Sequence, residues 1–297
     1  MPDLALISKA VDYIEDHLQS AITVADMAGA VSFSLYHFCR IFNQSSHHTP
    51  YDYLMRRRLA EAARALLRTD DRILDIALDY QFNSPETFSR AFKRVFGLQP
   101  SQWRKQGRLD RWRLMPRLTL AHLQHLHKGA YLKPIEQERE PFQLAGLMTL
   151  VQPALEQPAE AIAELWSLAA RELAHPEAGS IGGRYYGLAC YQEGWEERGF
   201  LYTAGAALDP SAPSGAQAVA HSALVVKSIP GLVFARFVHK GRRRDLPLTL
   251  DYIYHTWLPK SGRTLALPWV LEAYGPELPS AESDDAEMAI LVPLDRV

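Results

Sequence analysis

Arg40 and Arg90 hold the same place in two copies of one pattern. Ser34, Phe38, Arg40 and Phe42 read S-x-x-x-F-x-R-x-F, and Ser84, Phe88, Arg90 and Phe92 repeat it fifty residues later. At about 100° per residue, with Phe38 at 0°, Ile41 and Phe42 fall on its side of the helix. Tyr36, Arg40 and Asn43 fall on the opposite side. In the second copy Phe88, Ala91, Phe92 and Val95 face inward, while Glu86, Arg90, Lys93 and Arg94 face outward. A guanidinium on the outer face of a helix in the major groove can donate two hydrogen bonds to O6 and N7 of guanine, worth about 1–3 kcal/mol of discrimination. Tyr36 suits a thymine methyl or a phosphate. The first turn, Pro85, Glu86 and Thr87, enters the groove first. Lys93, Arg94 and the run Arg56, Arg57 and Arg58 suit phosphates, as does Asn43, and such contacts give affinity rather than sequence.

The elements that must position these side chains are short helices. Ile7, Val11, Ile14 and Leu18 mark one helical face. Thr23 with Asp26 reads as an N-cap, in a weaker form of the capping box. Ser32 or Ser34 caps a helix over roughly 33–44, and a longer one follows Pro50 over roughly 51–68, with Met55, Leu59, Ala62 and Leu66 inward. Thr69, Asp70 and Asp71 break it. Ile73, Ile76, Ala77 and Tyr80 mark another short helix. Ser84 followed by Pro85 starts the last one, and Gly97 stops it. Val24–Ala28 resembles Ile73–Ala77, so the repeat is a short helix, a turn and a second helix, the layout of a helix-turn-helix. A helix over 51–68 is about 27 Å long. Successive major-groove faces lie about 34 Å apart, so the long helix can hold two reading helices over adjacent grooves.

Residues 6–106 resemble the AraC/XylS-type DNA-binding domain, including the ending Phe96-Gly97-Leu98-Gln99-Pro100-Ser101-Gln102-Trp103-Arg104. The resemblance implies double-stranded DNA as partner, with base contacts from Tyr36 and Arg40 in the first reading helix and from Pro85, Glu86, Thr87 and Arg90 in the second. That family often carries amides where Pro85 and Glu86 stand. Glu86 would repel phosphate or accept from a cytosine amino group.

The chain as a whole fits this reading. Its 297 residues, 47% hydrophobic and 22% charged, suit two soluble domains. No apolar run approaches the roughly 18–20 residues that span a bilayer, and the N-terminus lacks a signal layout. A cytoplasmic protein with no membrane role is expected. Cys39 and Cys190 make neither a disulfide framework nor a zinc site. His122, His125 and His127 lack a cysteine or carboxylate at a familiar metal spacing, and His47 and His48 read as a loop, so no metal or other cofactor is expected. The net charge of −2 divides into +3 over residues 1–113 and −5 over the remainder, which points nucleic acid to the first part.

The expected division is a DNA-binding domain over 1–106, a linker with some helix over 107–133, and an α+β domain over 134–297. In the last, a strand near 135–150 precedes a helix over Ala159–Ala174 and strands near 184–192 and 199–208. A strand near 222–240 then precedes a helix over Leu246–Pro259 and strands near 268–275 and 286–294. The order gives two β-α-β-β units, with Asp209–Gly215 as a joint between them. Strand alternation sets Val270, Glu272 and Tyr274 on one face, where Glu272 is either solvent-facing or in a lined pocket. Arg242, Arg243 and Arg244 read as a solvated loop.

This half resembles the GyrI-like effector-binding domain at Phe200–Gly205, Ile229–Gly231, Tyr254–Gly262 and Pro268–Tyr274. The resemblance implies that Glu272 lies at the base of an aromatic pocket. A buried carboxylate needs a partner, and a lipophilic cation held by Glu272 and aromatic faces fits that need. Tyr202, Trp257, Trp269 and Tyr274 are the expected walls. The expected whole is a transcription regulator, not an enzyme. Its effector shifts the population able to bind promoter DNA or RNA polymerase. Two alternatives stand beside it: a small-molecule hydrolase using Glu272 and Tyr274 as an acid/base pair, and a protein-interaction module.

Overall fold

A computed structural model describes residues 4–108, 111–127, 132–152, 158–174, 181–192, 194–209, 223–275 and 287–296. The chain forms two compact units, one of Met1–Gly129 with Leu248–Ser261, the other of Ala130–Pro247 with Gly262–Val297. The expected joint at Asp209–Gly215 falls, from residue 210 on, outside the described residues.

The first unit is helical: α1 (Leu4–Asp16), α2 (Val24–Ala30), α3 (Leu35–Ser46), α4 (Pro50–Arg68), α5 (Ile73–Asp79), α6 (Pro85–Phe96), α7 (Pro100–Gln106) and α8 (Leu120–His127). Local chemistry sets the boundaries. Thr23 and Asp26 make a complete capping box at α2. Thr49 caps α4, with Pro50 at its first position. Gly97, at φ 75°, ends α6 in the left-handed region that glycine adopts freely.

Two cores lie along α4. Tyr53 and Leu54 from its first half join Ile7, Val11, Phe38 and Phe42. Leu59, Ala62, Ala63 and Leu66 from its second half join Ile76, Phe88, Phe92, Phe96 and Trp103. The residues expected to form a linker are drawn into these cores: Leu114 is buried in the second, and Met115, Leu118 and Leu123 in the first. Leu123 lies on α8, and the other three lie on the segment between it and a short 3-10 turn (Arg111–Arg113). Elements this short leave little periodicity in the sequence.

The second unit is a sheet of eight antiparallel strands in the order β1-β6-β8-β7-β3-β4-β2-β5. The strands are β1 (Ile135–Arg139), β2 (Phe142–Val151), β3 (Ile181–Cys190), β4 (Phe200–Leu208), β5 (Val225–Ile229), β6 (Leu232–Lys240), β7 (Trp269–Ala273) and β8 (Glu287–Leu294). The helix α9 (Pro158–Leu173) packs on β2 and β4, and the short α10 (Trp195–Arg198) precedes β4. The single strands expected near 135–150 and 222–240 are each two. Pro141 and Pro230 lack the N–H a ladder needs, and the chain turns there. Gly231 permits the two turns to pack, since a Cβ on it would lie 3.0 Å from Pro141 Cδ.

Those turns force the sheet to curl. β1 and β2 are joined through Glu140 and Pro141 alone, yet they stand first and seventh in the order. In a flat sheet they would be about 29 Å apart at ~4.8 Å per strand. The connection spans at most about 11 Å. The inner face of the curl closes on Leu144, Tyr186, Leu188, Phe234, Leu271 and Leu291. Between β6 and β7 run a 3-10 turn (Arg243–Asp245), α11 (Leu246–Tyr252), a π-helical turn (Ile253–Trp257) and α12 (Leu258–Ser261).

Candidate nucleic-acid interface and effector pocket

The two helices that carry the repeated pattern are built alike. The Ser34 hydroxyl accepts from the His37 N–H at 3.4 Å, and the Ser84 hydroxyl accepts from the Thr87 N–H at 3.2 Å. Phe38 and Phe42 lie with ring centres 5.5 Å apart, Phe88 and Phe92 with theirs 5.4 Å apart, and all four are fully buried. Buried phenylalanines fix the roll of each helix, so the residues on the opposite side must point outward. Tyr36 is 81% exposed. Arg40, Asn43, Glu86, Thr87, Arg90, Lys93 and Arg94 are exposed and Pro85 is half-buried. Among the described residues Arg40 forms no hydrogen bond or ion pair. Glu86 accepts from its own backbone N–H at the start of α6, and that bond, then one from Ser84, lowers its pKa.

The arginine run of α4 does not reach outward as a unit. Arg57 is 4% exposed and Arg58 5%. Arg57 grips Glu15 with Nε and an outer nitrogen, both at 2.8 Å, and also donates to Glu61 and to the Met115 carbonyl. Arg58 donates to the carbonyls of Leu18 and Ser20. Arg56 pairs with Asp52 at 3.0 Å. Arg57 and Arg58 are therefore structural, not phosphate contacts. Consecutive residues on a helix point about 100° apart, and Arg57 points at α1 while Arg58 points at the turn that follows it.

The histidines are taken up inside the first unit. His48 follows α3 in a turn, buried, with Nδ1 2.7 Å from Asp52 and Nε2 3.0 Å from the Thr256 hydroxyl. His122 lies 3.1 Å from Asp251, and His125 lies 2.8 Å from the Thr249 hydroxyl. No group of three metal-ligating side chains occurs among the described residues. Burial pushes His255 down to about 4 against the pull of Asp251, with Arg56, His48 and His122 adding to the depression. Burial also lowers His48. The unfolded chain then binds more protons than the folded one between about pH 6.5 and 4, so stability should fall as pH falls through that window. Thermal midpoints measured from pH 7.5 to 4 check this, and a midpoint that rises on acidification would contradict it.

In the second unit Glu272 is 3% exposed and projects from β7 on the face that carries α9. Tyr202 and Tyr274 donate their hydroxyls to its Oε2 at 2.6 and 2.7 Å. Trp166 of α9 donates to the Tyr202 hydroxyl at 3.3 Å, and its ring meets Tyr274 edge-on at 5.2 Å. Gly187, opposite Glu272 in β3, leaves the room: a Cβ there would fall 1.9 Å from the Tyr202 hydroxyl. The positive charge facing Glu272 is the chain's own. Arg243 is 7% exposed, donates to both Glu272 oxygens at 2.8 and 2.6 Å, and also donates to Tyr202 and Tyr274. Its guanidinium carbon lies 5.1 Å from the centre of the Tyr202 ring. Burial opposes the charge on Arg243, but Glu272, Tyr202 and Tyr274 together outweigh it and raise the pKa further. Burial raises both tyrosines and the neighbouring carboxylate adds to it, against the opposing pull of Arg243.

Two expectations change here. Arg243 is not in a solvated loop, because a buried carboxylate recruits the nearest cation. Trp269 is not a wall beside Glu272: it points to the other face of β7, with its ring 5.8 Å from Phe234. Trp257 lies on Leu248–Ser261, which belongs to the first unit. Trp166 is a neighbour of the cluster that the sequence did not mark. Its position on the buried stripe of α9 with Ile162, Ala169 and Leu173 was the available signal.

Two families match the chain. One is a helix-turn-helix domain over residues 27–106, the other a GyrI-like small molecule binding domain over residues 132–295. The HTH-type transcriptional regulator YbfP of Bacillus subtilis is 45% identical over 98 residues, 33% of each chain. The right origin-binding protein of Escherichia coli is 33% identical over 120 residues, 40% of this chain and 42% of that one. The chain thus spans about a third to two fifths of the length of these relatives. A solved AraC-type transcriptional regulator from Chromobacterium violaceum is 27% identical, covers 35% of this chain and 92% of its own, and superposes with a TM-score of 0.34. Among the described residues no helix is long and apolar enough to cross a membrane.

Proposed function

We propose a ligand-responsive transcription regulator, and the premise is plain: the chain belongs to the GyrI-like family of small-molecule binding domains, and residues 27–106 are a helix-turn-helix domain of the AraC type. One observation carries the DNA-binding half. Two phenylalanine-backed helices on one long helix each hold an exposed arginine away from the core. We read α2–α3 and α5–α6 as two helix-turn-helix motifs. Tyr36, Arg40, Thr87 and Arg90 then meet bases, with Pro85 and Glu86 at the entry of the second helix. Asn43, Lys93 and Arg94 meet phosphates. Glu86, folded onto its own helix start, limits repulsion rather than reading a base.

The second unit binds a small lipophilic or cationic effector at Glu272, bounded by Tyr202, Tyr274 and Trp166. Arg243 is the group such a cation must displace. The effector then shifts the population able to engage promoter DNA, with RNA polymerase as a further partner. The hydrolase alternative gains no support from Glu272, whose oxygens are already engaged by Arg243 and two tyrosines. Arg40→Ala and Arg90→Ala should each weaken operator binding by about 1–3 kcal/mol, and affinity should fall steeply with salt. Binding isotherms at several salt concentrations test both. Unchanged affinity in the two variants would remove the reading.

A further inference from the structure

A cavity of about 710 Å³ opens on the inner face of the curled sheet, and its chemistry is opposite to that around Glu272. Three arginines line it, from three different strands: Arg139 of β1, Arg184 of β3 and Arg236 of β6. Arg184 is exposed, whereas Arg139 and Arg236 are half-buried and not placed as on an ordinary solvated surface. Arg236 stands two residues from buried Phe234 and opposite Leu291, so it shares the face of the inner core. Arg139 stands opposite Leu232, and its guanidinium carbon lies 5.9 Å from the centre of the Tyr186 ring.

Among the described residues the positive charge there is unmatched. Among the described residues Arg184 and Arg236 form no hydrogen bond or ion pair. Arg139 has a long hydrogen bond to the Tyr186 hydroxyl, at 3.4 Å. Glu287 is the carboxylate among the lining residues, and the Lys240 ammonium 3.1 Å away already balances it. Unpaired guanidiniums around a concave, partly apolar wall focus positive potential into the cavity. Their planar forks match a carboxylate or phosphate in two-point geometry. Behind them the wall is apolar: Leu291 and the Tyr186 ring are buried.

We infer that this cavity is a second ligand site, which takes a small amphipathic oxyanion: an aromatic or aliphatic body carrying one carboxylate or phosphate. The guanidiniums hold the head, and Tyr186 and Leu291 take the body. The site is separate from the Glu272 cluster, because Glu272 and the cavity-lining Ala273 point to opposite faces of β7. Tyr274 is common to both, since it lines the cavity and donates to Glu272.

Isothermal titration of the full chain tests the inference with naphthalene-2-carboxylate, 2-naphthyl phosphate, methyl naphthalene-2-carboxylate and inorganic phosphate. At least one naphthyl anion should bind, and the uncharged ester and inorganic phosphate should each bind at least about tenfold more weakly. Arg184→Gln and Arg236→Gln should each weaken the anion by about tenfold. The exposed Arg184 makes its variant safe for folding, and unchanged thermal midpoints verify this for both. Tetraphenylphosphonium should not compete with the anion, which keeps this site distinguishable from the one at Glu272. Absent binding, equal binding of the ester, equal binding of inorganic phosphate, or affinity untouched in both variants would overturn the inference.

Discussion

Arg57→Ala will destabilise the helical unit by about 3–5 kcal/mol, the cost of breaking a buried ion pair by removing one partner. The side chains of Arg57 and Glu15 are 5% and 6% exposed. Both oxygens of Glu15 accept from Arg57, and Oε1 also accepts from the Tyr53 hydroxyl at 2.7 Å. Alanine would leave the Glu15 carboxylate without its cation in the region where α1, α4 and the chain at Met115 meet. The loss also frees the Met115 carbonyl, now satisfied by Arg57 at 2.7 Å. Urea unfolding of the full chain, followed by helical circular dichroism, measures the effect. Arg57→Met combined with Glu15→Leu should recover most of it, because removing both partners leaves no orphaned charge. A single variant within about 1 kcal/mol of the parent, the range of a surface pair, would show that the pair is not needed.

Arg243→Ala should act in the second unit with similar size, about 3–5 kcal/mol, because Glu272 then keeps only its tyrosine hydroxyls. This variant has a second consequence that a purely structural ion pair would lack. It vacates the place of a cation beside a carboxylate and the face of Tyr202. A lipophilic cation such as tetraphenylphosphonium should therefore raise the thermal midpoint of Arg243→Ala more than that of the parent, by mass action on the folded state. Equal shifts in the two proteins would contradict the assignment of Arg243 as the group an effector displaces.

Much of the first unit was legible because its signals are local. Serine followed by proline at Ser84, the capping pair at Thr23 and Asp26, and glycine at Gly97 each act within a turn of helix. The phenylalanine spacing fixed which face of α3 and α6 is buried. What escaped depended on distant partners. Nothing near Arg57 in sequence announces Glu15, forty-two positions away, so three consecutive arginines read as one basic patch. The sequence around Arg243 reads as a solvated loop for the same reason: the carboxylate it meets lies on β7, twenty-nine positions away. Glu272 itself could be placed on a face by alternation, but only burial by α9 decides that the face is not wet. The division of the strands is not legible in the sequence, although Pro141 and Pro230 stand at the breaks. A proline argues for a break but does not say that the two pieces lie near opposite ends of the strand order.

The central claim is that one chain reads two adjacent major grooves with α3 and α6, held at a fixed separation by α4. Two rigidly spaced helices must dock on the same side of the duplex, about one helical turn apart. An operator bound by the full chain can be lengthened between its two half-sites by about 5 base pairs, half a turn, and by a full turn in a second duplex. A fixed α4 predicts that both insertions reduce affinity to that of a single half-site. A flexible join would restore binding at the full turn. Affinity unaffected by the half-turn insertion would contradict the two-groove account outright.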